Sequence, residues 1–150
     1  MKLEVEMRER MSVTTAALNW LATPYHHGAQ IKGAGVDCAH LLVAVYGGLR
    51  LVDVGPIPQY PPDWFLHGKT DILREFIAQY CVTVDTPEFG DIALYRYGRF
   101  ASHAGIVITE HPIDVVHAFR GRGVVREESG PLSPLGVRLD SYWTLMRWAE

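Results

Sequence analysis

The second half of this 150-residue chain consists of short apolar and β-branched runs divided by glycine and polar turns. Runs of this length between turn residues are typical of β-strands. We predict strands at residues 92–95, 105–109, 114–119, 124–126 and 142–146. Because short consecutive strands with short connections pair as an antiparallel meander, this half constrains the fold to one antiparallel sheet.

The first half of the chain shows helical periodicity instead. We predict helices at residues 8–21, 37–46 and 71–80. Met7, Met11, Leu18 and Leu21 share roughly one face of the first helix, which we expect to be buried. Helices followed by a meander of strands predict an α+β domain, with the helices packed on one face of an antiparallel sheet.

Length and composition suit a single domain covering residues 1–150. Apolar residues make up 48% of the chain and charged residues 21%, as in an average globular protein. A formal charge of −3 argues against nucleic acid as a partner. The longest apolar run, 41–46, is too short for a membrane span, and the N-terminus lacks a signal-peptide segment. We expect cytoplasmic synthesis, with delivery by other components if the protein acts outside.

Cys38 is the most informative candidate for chemistry. It follows a glycine-rich loop at the first turn of the second predicted helix. Unsatisfied N–H groups at a helix N-terminus favour an anion, which predicts a lowered thiol pKa. The alternative is a structural cysteine, because Cys38 also lies on the apolar stripe of that helix. Cys81, in an ordinary apolar context, is interpreted as a core residue.

His103 and His117 are the candidate bases for such a thiol. They lie on two predicted strands joined by a turn at residues 110–113. In an antiparallel pair centred on residue 110 or 111, both side chains point to the same face, whereas a one-residue change of register separates them. Either histidine alone is otherwise an ordinary core or surface residue. The remaining histidines form no ligand cluster, so we predict no metal site.

Five blocks of the sequence together resemble the NlpC family of papain-like cysteine peptidases, which cut bacterial cell-wall peptides. The blocks are WLATPYHHG at 20–28, GVDC at 35–38, GDIALY at 90–95, SHAGIV at 102–107 and VHA at 116–118. The resemblance is greatest to small versions in phage and prophage tail modules, with which the stretch DWFLH at 63–67 is also associated. It implies a papain-like NlpC fold with the catalytic cysteine at a helix N-terminus.

The resemblance also implies roles for individual residues. Cys38 corresponds to the nucleophile, His103 to the base and His117 to the residue that orients the base. Tyr25 matches a tyrosine beside the nucleophile, and Asp37 matches the acidic residue before it. The substrate implied is the peptidoglycan stem peptide, cut between D-glutamate and diaminopimelate without a cofactor.

The sequence departs from the family pattern directly after the nucleophile. The family has Asp-Cys-Ser-Gly, whereas this chain has Ala39 and His40 after Cys38. The family serine is associated with holding the free amino end of the stem peptide. We therefore expect stems without a free amino end to be accepted. We place Ser102, from the block that carries His103, with Tyr25, Asp37, Ala39 and His40 among the substrate-binding residues.

Two other functions remain open at this stage. The first is a non-catalytic tail or assembly module, in contact with phage tail proteins, that keeps the same fold for binding. The second is an acyltransferase or another amidase. A phage or prophage tail enzyme acting in the periplasm or cell wall remains the leading hypothesis.

Overall fold

The computed structural model describes residues 1–150, which form five α-helices and eight strands. The helices are α1 (Lys2–Leu18), α2 (Cys38–Leu42), α3 (Trp64–His67), α4 (Ile72–Ala78) and α5 (Met146–Ala149). The strands are β1 (Gln30–Ile31), β2 (Gly35–Val36), β3 (Cys81–Val84), β4 (Ile92–Tyr97), β5 (Phe100–Glu110), β6 (Ile113–Phe119), β7 (Gly123–Glu128) and β8 (Leu139–Leu145). A π-helical stretch, Val43–Gly47, continues α2.

Strands β3 to β8 form one six-stranded antiparallel sheet in the order β3-β8-β4-β5-β6-β7. From β4 to β7 each strand pairs with the next, and β8 returns to pair with both β4 and β3. Strands β1 and β2 form a separate short hairpin before α2. The predicted α+β architecture, with one antiparallel sheet, is confirmed.

The element bounds differ from those predicted in α1 (Lys2–Leu18 rather than 8–21), in β5 (Phe100–Glu110 rather than 105–109) and around the third helix. The sequence pattern extends that helix to residue 80, whereas α4 ends at Ala78 and Cys81 begins β3. This strand was not predicted, because its four residues show no strong alternation. Cys81 pairs with Leu145 of β8 and is 4% exposed, so it does belong to the core.

The predicted buried face of the first helix is wrong. Met7, Met11 and Leu21 are exposed, and the buried residues of α1 are Arg10, Val13 and Ala17. Arg10 reaches into the protein and binds Asp91, which is itself 2% exposed. Because a charged residue occupies the centre of the inward face, apolar periodicity identifies the wrong side of this helix.

The core divides into two clusters, one on each face of the sheet. The larger one combines residues of α1, α2 and α4 with alternate sheet residues such as Ile106 and Val116. The smaller one lies on the opposite face and includes Val107, Val115 and Leu135. Since side chains alternate along a strand, His103 and His117 share the face of this smaller cluster. No helix has the length and apolar character needed to cross a bilayer.

Candidate active site

Cys38 is the first residue of α2, and Asp37 caps that helix. The backbone of Asp37 is extended, and its Oδ1 accepts a hydrogen bond from the His40 N–H at 2.8 Å. An aspartate in this position satisfies one of the free donors of the first turn. Tyr25 forms a β-bridge with Val36, which sets the preceding loop beside the cysteine.

The carboxylate of Asp37 is buried and fully occupied by donors of this chain. Its Oδ1 also contacts His40 Nδ1 at 2.7 Å, and its Oδ2 accepts from the Gly28 N–H and the Tyr60 hydroxyl, both at 2.8 Å. Burial opposes ionisation, but the hydrogen bonds from His40 and Gly28 hold the pKa of Asp37 below its ordinary value. With 1% exposure, Asp37 supports the loop rather than facing the solvent.

The Cys38 thiol is half-buried and is not acidified in the resting protein. Burial, followed by the nearby Asp37 carboxylate, raises the pKa of Cys38 to about 12. The lowered pKa predicted from the helix N-terminus is therefore wrong for the unoccupied site, because desolvation outweighs the favourable backbone donors. The Sγ atom lies 3.9 Å from the carbonyl oxygen of Ser102, the residue before His103 in β5.

A β-bulge places His103 and His117 on the same face of the sheet. Next to the turn, Thr109 pairs with Asp114, and this register continued along the hairpin would put the two histidines on opposite faces. The register shifts between Val107 and Thr109, so that Val107 pairs with Val115 beyond the shift. His103 Nε2 then lies 2.7 Å from His117 Nδ1.

The two imidazoles occupy an aromatic environment. Tyr95, Tyr97 and Phe119 surround His103, with ring centroids 5.4–5.9 Å from its own. Burial, followed by His117 and Arg122, holds the pKa of His103 well below its ordinary value. Burial also lowers the pKa of His117. Both rings are therefore neutral at pH 7, and the resting site contains a neutral thiol and neutral imidazoles.

Gly105 allows this close approach. It lies on β5 between the two histidines, and a Cβ atom added there would stand 3.3 Å from the Cβ atoms of His117 and Val115. Such a contact is tighter than ordinary packing. A side chain at position 105 would therefore push the β6 residues away from His103.

Glu127 and Arg122 extend the histidine pair, and sequence analysis did not identify them as part of the site. Glu127 Oε1 lies 2.9 Å from His117 Nε2 and 2.6 Å from a guanidinium nitrogen of Arg122. The signal that identifies Glu127 is the β6–β7 register, in which His117 pairs with Val125. Glu127 is two residues further along β7 and so shares that face.

A cleft of about 340 Å³ opens beside the Cys38 thiol and the His103 ring. Cys38 and His103 both line it, as do Tyr25, Ala39 and Ser102 from the predicted substrate-binding set. The lining contains no aspartate or glutamate, and 13 of its 19 residues are hydrophobic. The predicted residues Asp37 and His40 are not part of this lining. Their side chains bind each other at the N-terminus of α2 instead.

The hydroxyl groups at the cleft differ in availability. Ser102 Oγ donates to the carbonyl oxygen of Tyr97 at 2.9 Å, so its hydrogen is already bound. Burial, followed by the nearby Cys38 and Asp37, raises the pKa of Tyr25 to about 12. The Tyr25 hydroxyl is therefore protonated at neutral pH and able to donate a hydrogen bond.

The proline-rich segment between α2 and α3 forms one wall of the cleft. Sequence analysis did not predict that this segment belongs to the site. Tyr60 anchors this segment through its hydroxyl on Asp37 and through its carbonyl oxygen, 3.0 Å from His27 Nε2. Arg120 reaches the same wall by donating to the Pro62 carbonyl oxygen at 3.4 Å. No group of three or more His, Cys, Asp or Glu side chains has the geometry of a metal site.

No protein-family model and no curated protein of known function matches the sequence. Among solved structures, the fold is similar to the crystal structure of the NlpC/p60 domain of the peptidoglycan hydrolase SagA. The TM-score is 0.62 at 18% sequence identity, and the match covers 91% of this chain and 98% of that domain. The chain therefore has the fold of an NlpC/p60 domain over nearly its whole length.

Proposed function

We propose that this protein is a cysteine peptidase that hydrolyses an amide bond of peptidoglycan stem peptides. The observation that carries the proposal is that Cys38 and His103 line one cleft, while the buried His117 ring contacts His103 from behind. A thiol nucleophile, a base and a residue that orients the base are the components of a papain-like site. The similar fold of a peptidoglycan hydrolase domain supports the substrate class.

The proposed reaction begins from neutral groups. The Cys38 proton moves to His103 Nδ1, the ring nitrogen that does not contact His117, and the thiolate attacks the amide carbonyl. The Cys38 backbone N–H stabilises the oxyanion. His103 then donates its proton to the leaving amine, which breaks the C–N bond and leaves a thioester. Water, deprotonated by His103, releases the product acid and restores the thiol.

The geometry favours substrates whose amino end is blocked. A substrate ammonium needs an acceptor, and burying one without a partner is costly. Asp37 has four donors of this chain on its two oxygens, and Ala39 has no hydroxyl. We therefore propose that intact or cross-linked stems are cleaved, between D-glutamate and diaminopimelate. Delivery with a phage or prophage tail fits this substrate.

Digestion of purified peptidoglycan tests the proposal. The wild type is expected to release muropeptides whose masses identify the cleaved bond, and Cys38→Ala is expected to release none. Cys81→Ala is the matched control, because this second thiol is buried away from the cleft. Release by Cys38→Ala at the wild-type rate would contradict the mechanism, and no release by the wild type would contradict the substrate.

The apolar lining of the cleft favours a second candidate function. With 13 hydrophobic residues out of 19 and no acidic side chain, the cleft also suits transfer or hydrolysis of a less polar acyl group. The same thioester would form, and an added amine instead of water would accept the acyl group. Product analysis with and without added amines separates an acyltransferase from a hydrolase.

A further inference from the structure

Glu127 stands behind the histidine pair, at the end of a continuous chain of hydrogen bonds. The chain runs from His103 Nε2 to His117 Nδ1 over 2.7 Å, and from His117 Nε2 to Glu127 Oε1 over 2.9 Å. Glu127 lies on β7, is 22% exposed, and forms an ion pair with Arg122. None of the five sequence blocks contains it.

The donor and the acceptor of each hydrogen bond in this series follow from the chemistry of Glu127, its last member. Burial opposes ionisation of Glu127, but the hydrogen bonds from Arg122 and His117 lower its pKa, so it is a carboxylate at neutral pH. A carboxylate can only accept hydrogen bonds, so His117 must carry its proton on Nε2. The Nδ1 atom of this neutral ring is then an acceptor.

The same reasoning determines which nitrogen of the His103 ring carries the proton. Because His117 Nδ1 accepts, His103 must donate from Nε2, which leaves its only lone pair on Nδ1. We infer that Glu127 is a positioning residue that holds both histidines in the tautomer leaving His103 Nδ1 free to take the thiol proton. This inference rests on the proposed role of His103 as the base.

Without the carboxylate, no group disfavours the alternative pair of tautomers, in which both rings carry the hydrogen on Nδ1. If His117 carries its proton on Nδ1, it donates to His103 Nε2, and His103 then carries its proton on Nδ1. In that tautomer the ring nitrogen available to Cys38 is occupied by a hydrogen and cannot accept another. A triad base locked in the wrong tautomer loses most of its activity.

Two substitutions at Glu127 separate the hydrogen bond from the charge. Glu127→Leu removes both the acceptor and the charge. Glu127→Gln keeps an acceptor oxygen, which the donating Arg122 guanidinium orients toward His117. Glu128→Leu is the matched control, because Glu128 is the exposed neighbour on the same strand and makes no contact with the histidines.

The first readout is the tautomer state of the histidines, from long-range proton–nitrogen correlation spectra of the labelled full-length protein. In the wild type and in Glu128→Leu, we expect both rings to be protonated on Nε2. In Glu127→Leu we expect His103 to gain the tautomer protonated on Nδ1. Wild-type tautomers in Glu127→Leu overturn the inference, whether or not the protein proves to be a peptidase.

The second readout is activity on peptidoglycan. Loss of the partner that orients a metal-binding histidine typically costs 10–100-fold, and we take the same range for a histidine base. We expect kcat of Glu127→Leu to fall by about this factor with little change in KM, and Glu127→Gln to fall less. Unchanged kcat in Glu127→Leu, with Cys38 still required, overturns this inference and leaves the proposed function intact. An inactive wild type contradicts the proposed function alone.

The Glu127→Gln variant keeps the inference testable if Glu127→Leu fails to fold. The negative charge of Glu127 favours the protonated form of His117. Its removal must therefore move the NMR titration of His117 to lower pH than in the wild type and in Glu128→Leu. An unmoved titration would contradict the contact between Glu127 and His117 from which the inference is argued.

Discussion

Substitution of Arg10 by methionine is expected to destabilise the protein severely, although Arg10 is far from the cleft. Arg10 is 2% exposed, and its guanidinium lies 2.8 Å from Asp91 Oδ1 and donates to the Phe89 carbonyl oxygen at 3.0 Å. It also stacks 4.2 Å above the Trp148 ring. Methionine has a similar length but no donor, so Asp91 would remain buried without its counter-charge.

The magnitude follows from the burial of both partners. Removing one partner of a buried ion pair costs about 3–5 kcal/mol. For a chain of this size, each kcal/mol lowers Tm by about 2–4 °C, so we expect a decrease of roughly 6–20 °C. This loss is a large part of the total stability of a typical domain.

Chemical denaturation and thermal melting measure this loss directly. Arg147→Met is the matched control, because Arg147 of α5 is 46% exposed, in contrast to Arg10, and its ion pair with Glu9 of α1 should contribute less than about 1 kcal/mol. Adding Asp91→Asn to Arg10→Met removes the unpaired charge and should recover part of the loss. A decrease below about 1 kcal/mol in Arg10→Met, or a double variant as unstable as the sum of the single ones, would refute the reasoning.

Four further outcomes are expected. Cys38→Ala and His103→Ala should each abolish peptidoglycan release and together lose little more, since nucleophile and base act as one unit; additive losses in kcat/KM would contradict this coupling. Cys81→Ala should keep full activity and lose on the order of 1 kcal/mol in denaturation. Burial depresses the pKa of His103 in the folded protein below its value of about 6.5 in the unfolded chain. The contribution of His103 to stability is therefore complete above about pH 6.5 and decreases as the pH falls below it. The free energy of unfolding should drop by up to about 1.4 kcal/mol per pH unit there, and His103→Gln should flatten that slope in denaturation series at several pH values. Ala39→Ser should shift kcat/KM toward synthetic stems with a free amine, relative to their N-acylated forms; a wild-type preference for the free amine above about 100-fold would contradict the blocked-end hypothesis.

Local patterns were sufficient for five of the six strands of the sheet, but not for β3 or for the buried face of α1. The strands could be predicted because their apolar and β-branched runs are bounded by turn residues, as in Ile113–Phe119. In α1 the buried position belongs to Arg10, whose partner Asp91 is 81 residues away. A charge that is buried because of a distant partner cannot be recognised from the periodicity of its own helix.

The candidate site was predicted to a similar extent. Cys38, His103 and Tyr25 were found because their neighbours in sequence carry a recognisable pattern, and the structure brings them to one cleft. Glu127 and Tyr60 were missed because nothing local marks them. Their positions depend on the β6–β7 register and on the course of the proline-rich segment, which are determined by tertiary packing.

The contact between the two histidines depends on packing at a distance from the turn. The register at Thr109 would separate them, and only the shift beyond it brings them to one face. That shift is held by the pairs Ile106–Val116 and Val107–Val115, whose four side chains are all fully buried. A one-residue slip of β6 along β5 would move Val115 and Val116 to the opposite faces of the sheet, out of the positions in which each is fully buried, and fully burying such a side chain contributes about 1.5–3 kcal/mol. The hydrophobic core therefore fixes the geometry of the polar pair, and the turn alone would predict the wrong face.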